Sequence, residues 1–174
     1  MNYNYSTITY PLNSLNLNET SNKNHLIENF NYKQQLLKEE NKFLSILTKT
    51  VFEDGQTNNS IEYIRDCLDK NFYITFSWLC GVFQKYPIDN SNRDSLIQYG
   101  ILRIVSYLIR FNYFNCVDSI IIEMIKAGLY SNINYLQEAA LMIIDNLDKD
   151  VSYLLDETTF SDSLLKKYSK KIIK

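Results

Sequence analysis

The sequence predicts an all-α fold, and three observations carry the prediction. Gly occurs four times and Pro twice in 174 residues, too few turn-makers for a sandwich or barrel with a tight turn at each strand end. From His25 onward, apolar residues recur at three- and four-residue intervals, the period of a helix face. No stretch alternates apolar and polar side chains for the length of a strand, beyond a short piece at Ile8, Thr9 and Tyr10. Hydrophobic residues make up 45% of the chain, and a chain of this size buries roughly 70% of its unfolded surface on folding.

In chain order, residues 1–24 hold seven Asn among Ser, Thr and Tyr. Such side chains compete with the backbone for its hydrogen bonds. This segment is therefore expected to be a flexible, disordered arm, leaving residues 25–174 as the helical domain. The first helix is predicted from His25 to Phe52, on Leu26, Phe30, Leu36, Leu37, Phe43, Leu44 and Leu47. After the loop at Asp54-Gly55 and Asn58-Asn59-Ser60, a short helix capped by Ser60 carries Ile61, Ile64 and Leu68. Asp69-Lys70-Asn71 interrupts it. A helix from Phe72 to Lys85 follows, stopped by Pro87, which has no N–H to continue the ladder. Two helices, Arg93–Tyr99 and Ile101–Phe111, are predicted next, parted at Gly100, and Asn112 breaks the chain after them. The helix from Phe114 to Ala127 ends at Gly128, read as the left-handed residue beyond a helix end. Ile133–Leu147 and Phe160–Ile173 complete the set, with a short segment at Val151–Leu155 between them.

Composition narrows the function. A net charge of -2 argues against a nucleic-acid stripe or a membrane-surface patch. No window approaches a membrane span and the start lacks a basic, apolar leader, so the chain is expected to be soluble and intracellular, in cytoplasm or nucleus. Cys67, Cys80 and Cys116 are odd in number and without a Cys-x-x-Cys, and are read as small buried residues in a reducing compartment. His25 is the only histidine, which excludes His-based triads and multi-His metal sites. The acid pairs Glu39 and Glu40, Asp66 and Asp69, and Asp148 and Asp150 fall on expected exposed faces or helix ends, where solvation explains them. Lys166, Lys167, Lys170, Lys171 and Lys174 interleave with Leu164, Leu165, Tyr168, Ile172 and Ile173 as the wet face of a packed amphipathic helix. No catalytic residue, metal or cofactor is predicted. The chain is expected to work by binding.

Two segments superimpose, Ile61–Leu68 with Phe72–Phe83 and Leu102–Ile109 with Asn115–Met124, at an offset of roughly 41 residues from Trp78 to Ser119. Phe76-Ser77-Trp78-Leu79-Cys80-Gly81-Val82-Phe83 resembles the third helix of the armadillo repeats of importin-α-type adaptors. Pro87-Ile88-Asp89 resembles that family's inter-repeat link, and Ala140–Leu147 a second third helix with Asn146 at the Asn position. The resemblance implies an armadillo/HEAT-like right-handed stack of short helices, an α-solenoid fragment, whose concave face binds a peptide. It places Trp78, Ser119, Glu123 and Asn146 on that face, with Trp78 stacking on, and Glu123 pairing with, a basic side chain of the partner. It also implies a role of nuclear-transport type. Val82 stands where the family has a backbone-gripping Asn, Ser119 where it has Trp, and Glu123 where it has Asn.

Two alternatives stay open. Trp78 reads equally as a core residue between neighbouring helices. The chain also reads as a small helical inhibitor, an immunity protein, antitoxin or pathogen effector, that acts through a flat face with no groove.

Overall fold

The computed structural model describes residues 19–50, 57–88, 92–113, 119–147, 151–156 and 158–172. Every regular element among them is helical, with no strand. The helices are α1 (Glu19–Thr50), α2 (Thr57–Lys70), α3 (Phe72–Lys85), α4 (Asn92–Arg110), α5 (Ser119–Leu129), α6 (Asn134–Asn146) and α7 (Asp162–Ile172), with a 3-10 turn at Ser152–Leu155 before α7. The strand-like piece at Ile8–Tyr10, Cys116, and the pair Asp148 and Asp150 lie outside the described residues.

Helix ends follow local chemistry. Asn71 caps α3 by accepting a hydrogen bond from the Ile74 N–H at 3.1 Å, which satisfies one orphan donor of the first turn. Asn112 sits in the left-handed region at φ 60. There it closes α4, with Tyr113 N–H donating to the Leu108 carbonyl at 2.9 Å and Asn112 N–H to that of Ile109 at 3.0 Å; Asn tolerates this conformation better than most residues.

Four boundaries depart from the sequence reading. α2 begins at Thr57, so Ser60, read as its cap, lies inside the helix. α1 starts at Glu19, inside the segment expected to be an arm, because adding a residue to an existing helix is far easier than nucleating one. α4 runs unbroken through Gly100. A Cβ there would lie 2.5 Å from Leu47 Cδ1, so the glycine marks where α1 crosses α4 and not a turn. Gly128 lies likewise inside α5, where a Cβ would meet the Ala140 Cβ at 2.9 Å and the Leu136 carbonyl oxygen at 3.1 Å. It sets how closely α5 approaches α6.

α1, α2 and α3 pack together. Tyr63 of α2 reaches Glu39 and Cys67 of α2 meets Tyr32, so α2 runs against α1. Asn29 meets Asn71, Tyr32 meets Thr75 and Glu40 meets Lys85, so α3 runs in the same general direction as α1. The pattern recurs among the later helices. Tyr99 of α4 packs edge-on against Tyr135 of α6 at 5.3 Å and Ser106 of α4 accepts from Asn146 of α6, so α4 and α6 share a direction and α5 turns back between them. α4 touches α1, α2, α3, α5 and α6. Its residues Ile97, Ile101, Leu102, Val105 and Leu108 are wholly buried, as expected for a helix apolar on nearly every side. α3 and α5 share no substantial contact, and both pack on α4.

Candidate functional site

A polar cluster lies where α1, α2 and α3 meet. Tyr32 donates its hydroxyl proton to the Cys67 carbonyl at 2.7 Å, and Thr75 donates to the same carbonyl at 2.8 Å. Tyr63 donates to Glu39 Oε2 at 2.6 Å, and Gln35 Nε2 donates to Glu39 Oε1 at 3.0 Å. Burial pushes the Tyr32 phenol up to about 12. Burial, then the bond to the Glu39 carboxylate, pushes Tyr63 up as well. The bonds from Tyr63 and Gln35 hold Glu39 below its usual value, and burial raises the Cys67 thiol. A thiol so raised stays protonated and is a poor nucleophile. The shifts of Tyr32, Tyr63 and Glu39 favour the forms that make these bonds, so the cluster ties the helices together.

The four residues expected to line a peptide groove occupy separate settings. Trp78 is buried, 8% exposed, with its ring 5.1 Å from that of Phe43 on α1. It packs in the core, and the indole face expected to stack on a ligand is covered. Ser119 and Glu123 are exposed one turn apart on α5, where Glu123 pairs with Lys126 of its own helix at 3.2 Å. Asn146 is half-buried and donates to the Met142 carbonyl at 2.8 Å and to Ser106 Oγ at 3.0 Å, so it ties α6 to α4. Because α3 and α5 do not pack together, Trp78 and Glu123 do not share one face of adjacent helices.

Of the remaining sequence candidates, Glu40 is nearly buried and meets Lys85 at 2.5 Å, while Asp66 and Asp69 are exposed. His25 is exposed and lies 3.6 Å from Glu28. Lys166 is exposed, and Lys167 pairs with Glu138 of α6. None of the described helices is long and apolar enough to cross a membrane. No group of three His, Cys, Asp or Glu among the described residues could hold a metal ion.

Leu26, Phe30 and Leu37, which sequence periodicity treats as core, the structure leaves open, with Ile27 beside them. Leu26, Ile27, Phe30 and Leu37 of α1 are 68%, 59%, 62% and 48% exposed. α1 has two apolar seams. One, through Tyr32, Leu36 and Phe43, faces α2 and α3 and is covered. The other runs through Leu26, Phe30, Lys33 and Leu37 at steps of four, three and four residues, and reaches Leu44 a further seven on. Its far end is buried, Leu44 and Leu47 near the α4 crossing being 0% and 1% exposed. Its near end has no cover among the described residues.

Phe30 and Leu37 lie alongside α3 but on a side of α1 that α2 and α3 do not cover; for Leu26 and Ile27 the cause is length. α1 has 32 residues, about 48 Å of helix, whereas α2 and α3 have 14 each, about 21 Å. With Asn29 opposite Asn71, residues 19–28 of α1 run on past the start of α3. Singly exposed apolar residues are ordinary, but a run of them along one helix face marks an interaction surface. Its periodicity is legible in the sequence; its exposure is not, because a seven-residue repeat reads the same whether or not a neighbour covers it. Comparison with protein-family models, curated proteins and solved structures finds no match for this chain, so its function is read from this geometry.

Proposed function

We propose that this chain is a non-enzymatic protein-interaction module that binds a partner along the uncovered seam of α1, in the manner of a small helical inhibitor or adaptor acting through an exposed face. The observation that carries this reading is the exposure of Leu26, Ile27, Phe30 and Leu37 on one helix, in line with residues that are core further along. Large apolar side chains presented by a rigid helix are what a partner buries in a helix-on-helix interface. The perturbed Tyr32 and Tyr63 hydroxyls join helices, which supports binding over chemistry.

A relation to armadillo- or HEAT-type arrays is part of the proposal. It is supported by the repeated arrangement in which α1 with α3, and α4 with α6, run in one direction with a helix returning between them. The contacts Tyr32–Thr75 and Ser106–Asn146 span 43 and 40 residues, near the period of such repeats. A concave peptide groove draws less support, because Trp78 is covered by Phe43.

Selection of a displayed library of helix-forming peptides on the chain, followed by amide hydrogen exchange of the best binder's complex, tests the reading. Slowed exchange confined to residues 25–42 is the expected result. A footprint on α5 around Ser119 and Glu123 would return the function to the groove.

A further inference from the structure

We infer that the partner is an amphipathic helix whose apolar stripe is flanked by carboxylates, lying along the Leu26–Phe30–Leu37 seam of α1. This rests on the proposed docking role of that seam and adds the chemistry of its occupant. The exposed charge on the open side of α1 is positive. With Leu26 as origin and 100° per residue, Lys33 falls within the seam, and Lys38 and Lys42 fall on the exposed flank beside Ile27. All three lysines are exposed. Glu28 and Glu39 lie on the other side of the helix, and Glu40, at the seam's edge toward α3, is buried. Glu28 sits by His25 at 3.6 Å, Glu39 holds Tyr63 of α2, and Glu40 meets Lys85 of α3.

No ion pair among the described residues engages Lys33 or Lys38. The open side of the seam thus carries Lys33 among its apolar side chains and Lys38 at its margin, in a chain whose total charge is -2. A second copy docked seam on seam would set Lys33 and Lys38 against a surface of the same sign. An acidic-flanked helix would meet them with charges of the other sign, which favours correct encounter and register. The lysine stems would add to the apolar contact while their ammonium groups pair at the margin.

Two synthetic helical peptides sharing one leucine stripe, one flanked by Glu and the other by Lys, are titrated against the full chain at low and high salt. The Glu peptide is expected to bind at least about tenfold more tightly at low salt, with the difference shrinking as salt screens the exposed charges. In the doubly substituted Lys33→Glu, Lys38→Glu chain the preference should reverse. Equal binding of both peptides, with protection on residues 25–42, would overturn the acidic partner and leave the docking face standing. Binding of neither peptide, together with no footprint on α1 from the peptide selection, would remove both. Self-association in sedimentation velocity that Lys33→Glu abolishes would name a second copy as occupant and overturn the inference.

Discussion

An indole in a helical protein needs a neighbour for its faces, and Trp78 finds one in Phe43, far off in the chain. Its Nε1 is buried with no hydrogen-bond partner, so apolar packing alone holds it. Trp78→Ala should therefore cost about 3–5 kcal/mol, read from urea denaturation, whereas Glu123→Ala on the exposed face of α5 should stay within about 0.5 kcal/mol. Nothing in the local sequence separates an interface Trp from a core Trp. The covering residue belongs to another helix, and that pairing is not legible in one segment. Tyr32 gives a second test at this scale. Its folded value, about 12, lies above the ordinary 10.0, so the folded state holds the proton more tightly than the unfolded chain. The stability this contributes is complete below pH 10 and is lost as pH rises toward 12. Tyr32→Phe should flatten the fall of melting temperature across that window. At neutral pH it should cost only about 1 kcal/mol, because Thr75 still donates to the Cys67 carbonyl.

Among the elements, the helices themselves were legible and their glycines were not. Periodicity places α3 at Phe72–Lys85, as found, because Asn71 caps it and Pro87 follows it locally. Gly100 and Gly128 read as breaks, since glycine in a helical pattern is costly unless it ends the helix. Only the approach of Leu47 to one and Ala140 to the other explains them. Gly100→Ala should thus destabilise by about 1–3 kcal/mol despite the better helix propensity of Ala. In a Leu47→Ala background the same change should be neutral or stabilising, because the clashing side chain is gone. Equal effects in both backgrounds, measured by thermal melting, would mean that α1 does not cross α4 at Gly100.

At the scale of the whole molecule, α1 is longer than the helices packed on it and one of its apolar faces is left open, and the proposed function follows from that open face. Its buried side chains begin around Tyr32 and Leu36, so a chain that starts at Asn24 should still unfold cooperatively, and a broad, non-cooperative melt would show that the removed residues are structural. The seam side chains Leu26, Phe30 and Leu37 are exposed and contribute little to stability when left in water. Binding of a seam-directed peptide to the Phe30→Asp chain, with its melting curve recorded on the same sample, is the most direct test of the central claim. The account predicts binding weakened by more than about tenfold with a melting temperature near that of the unaltered chain. Unchanged binding, or a melting temperature lowered as far as that of Trp78→Ala, would contradict it.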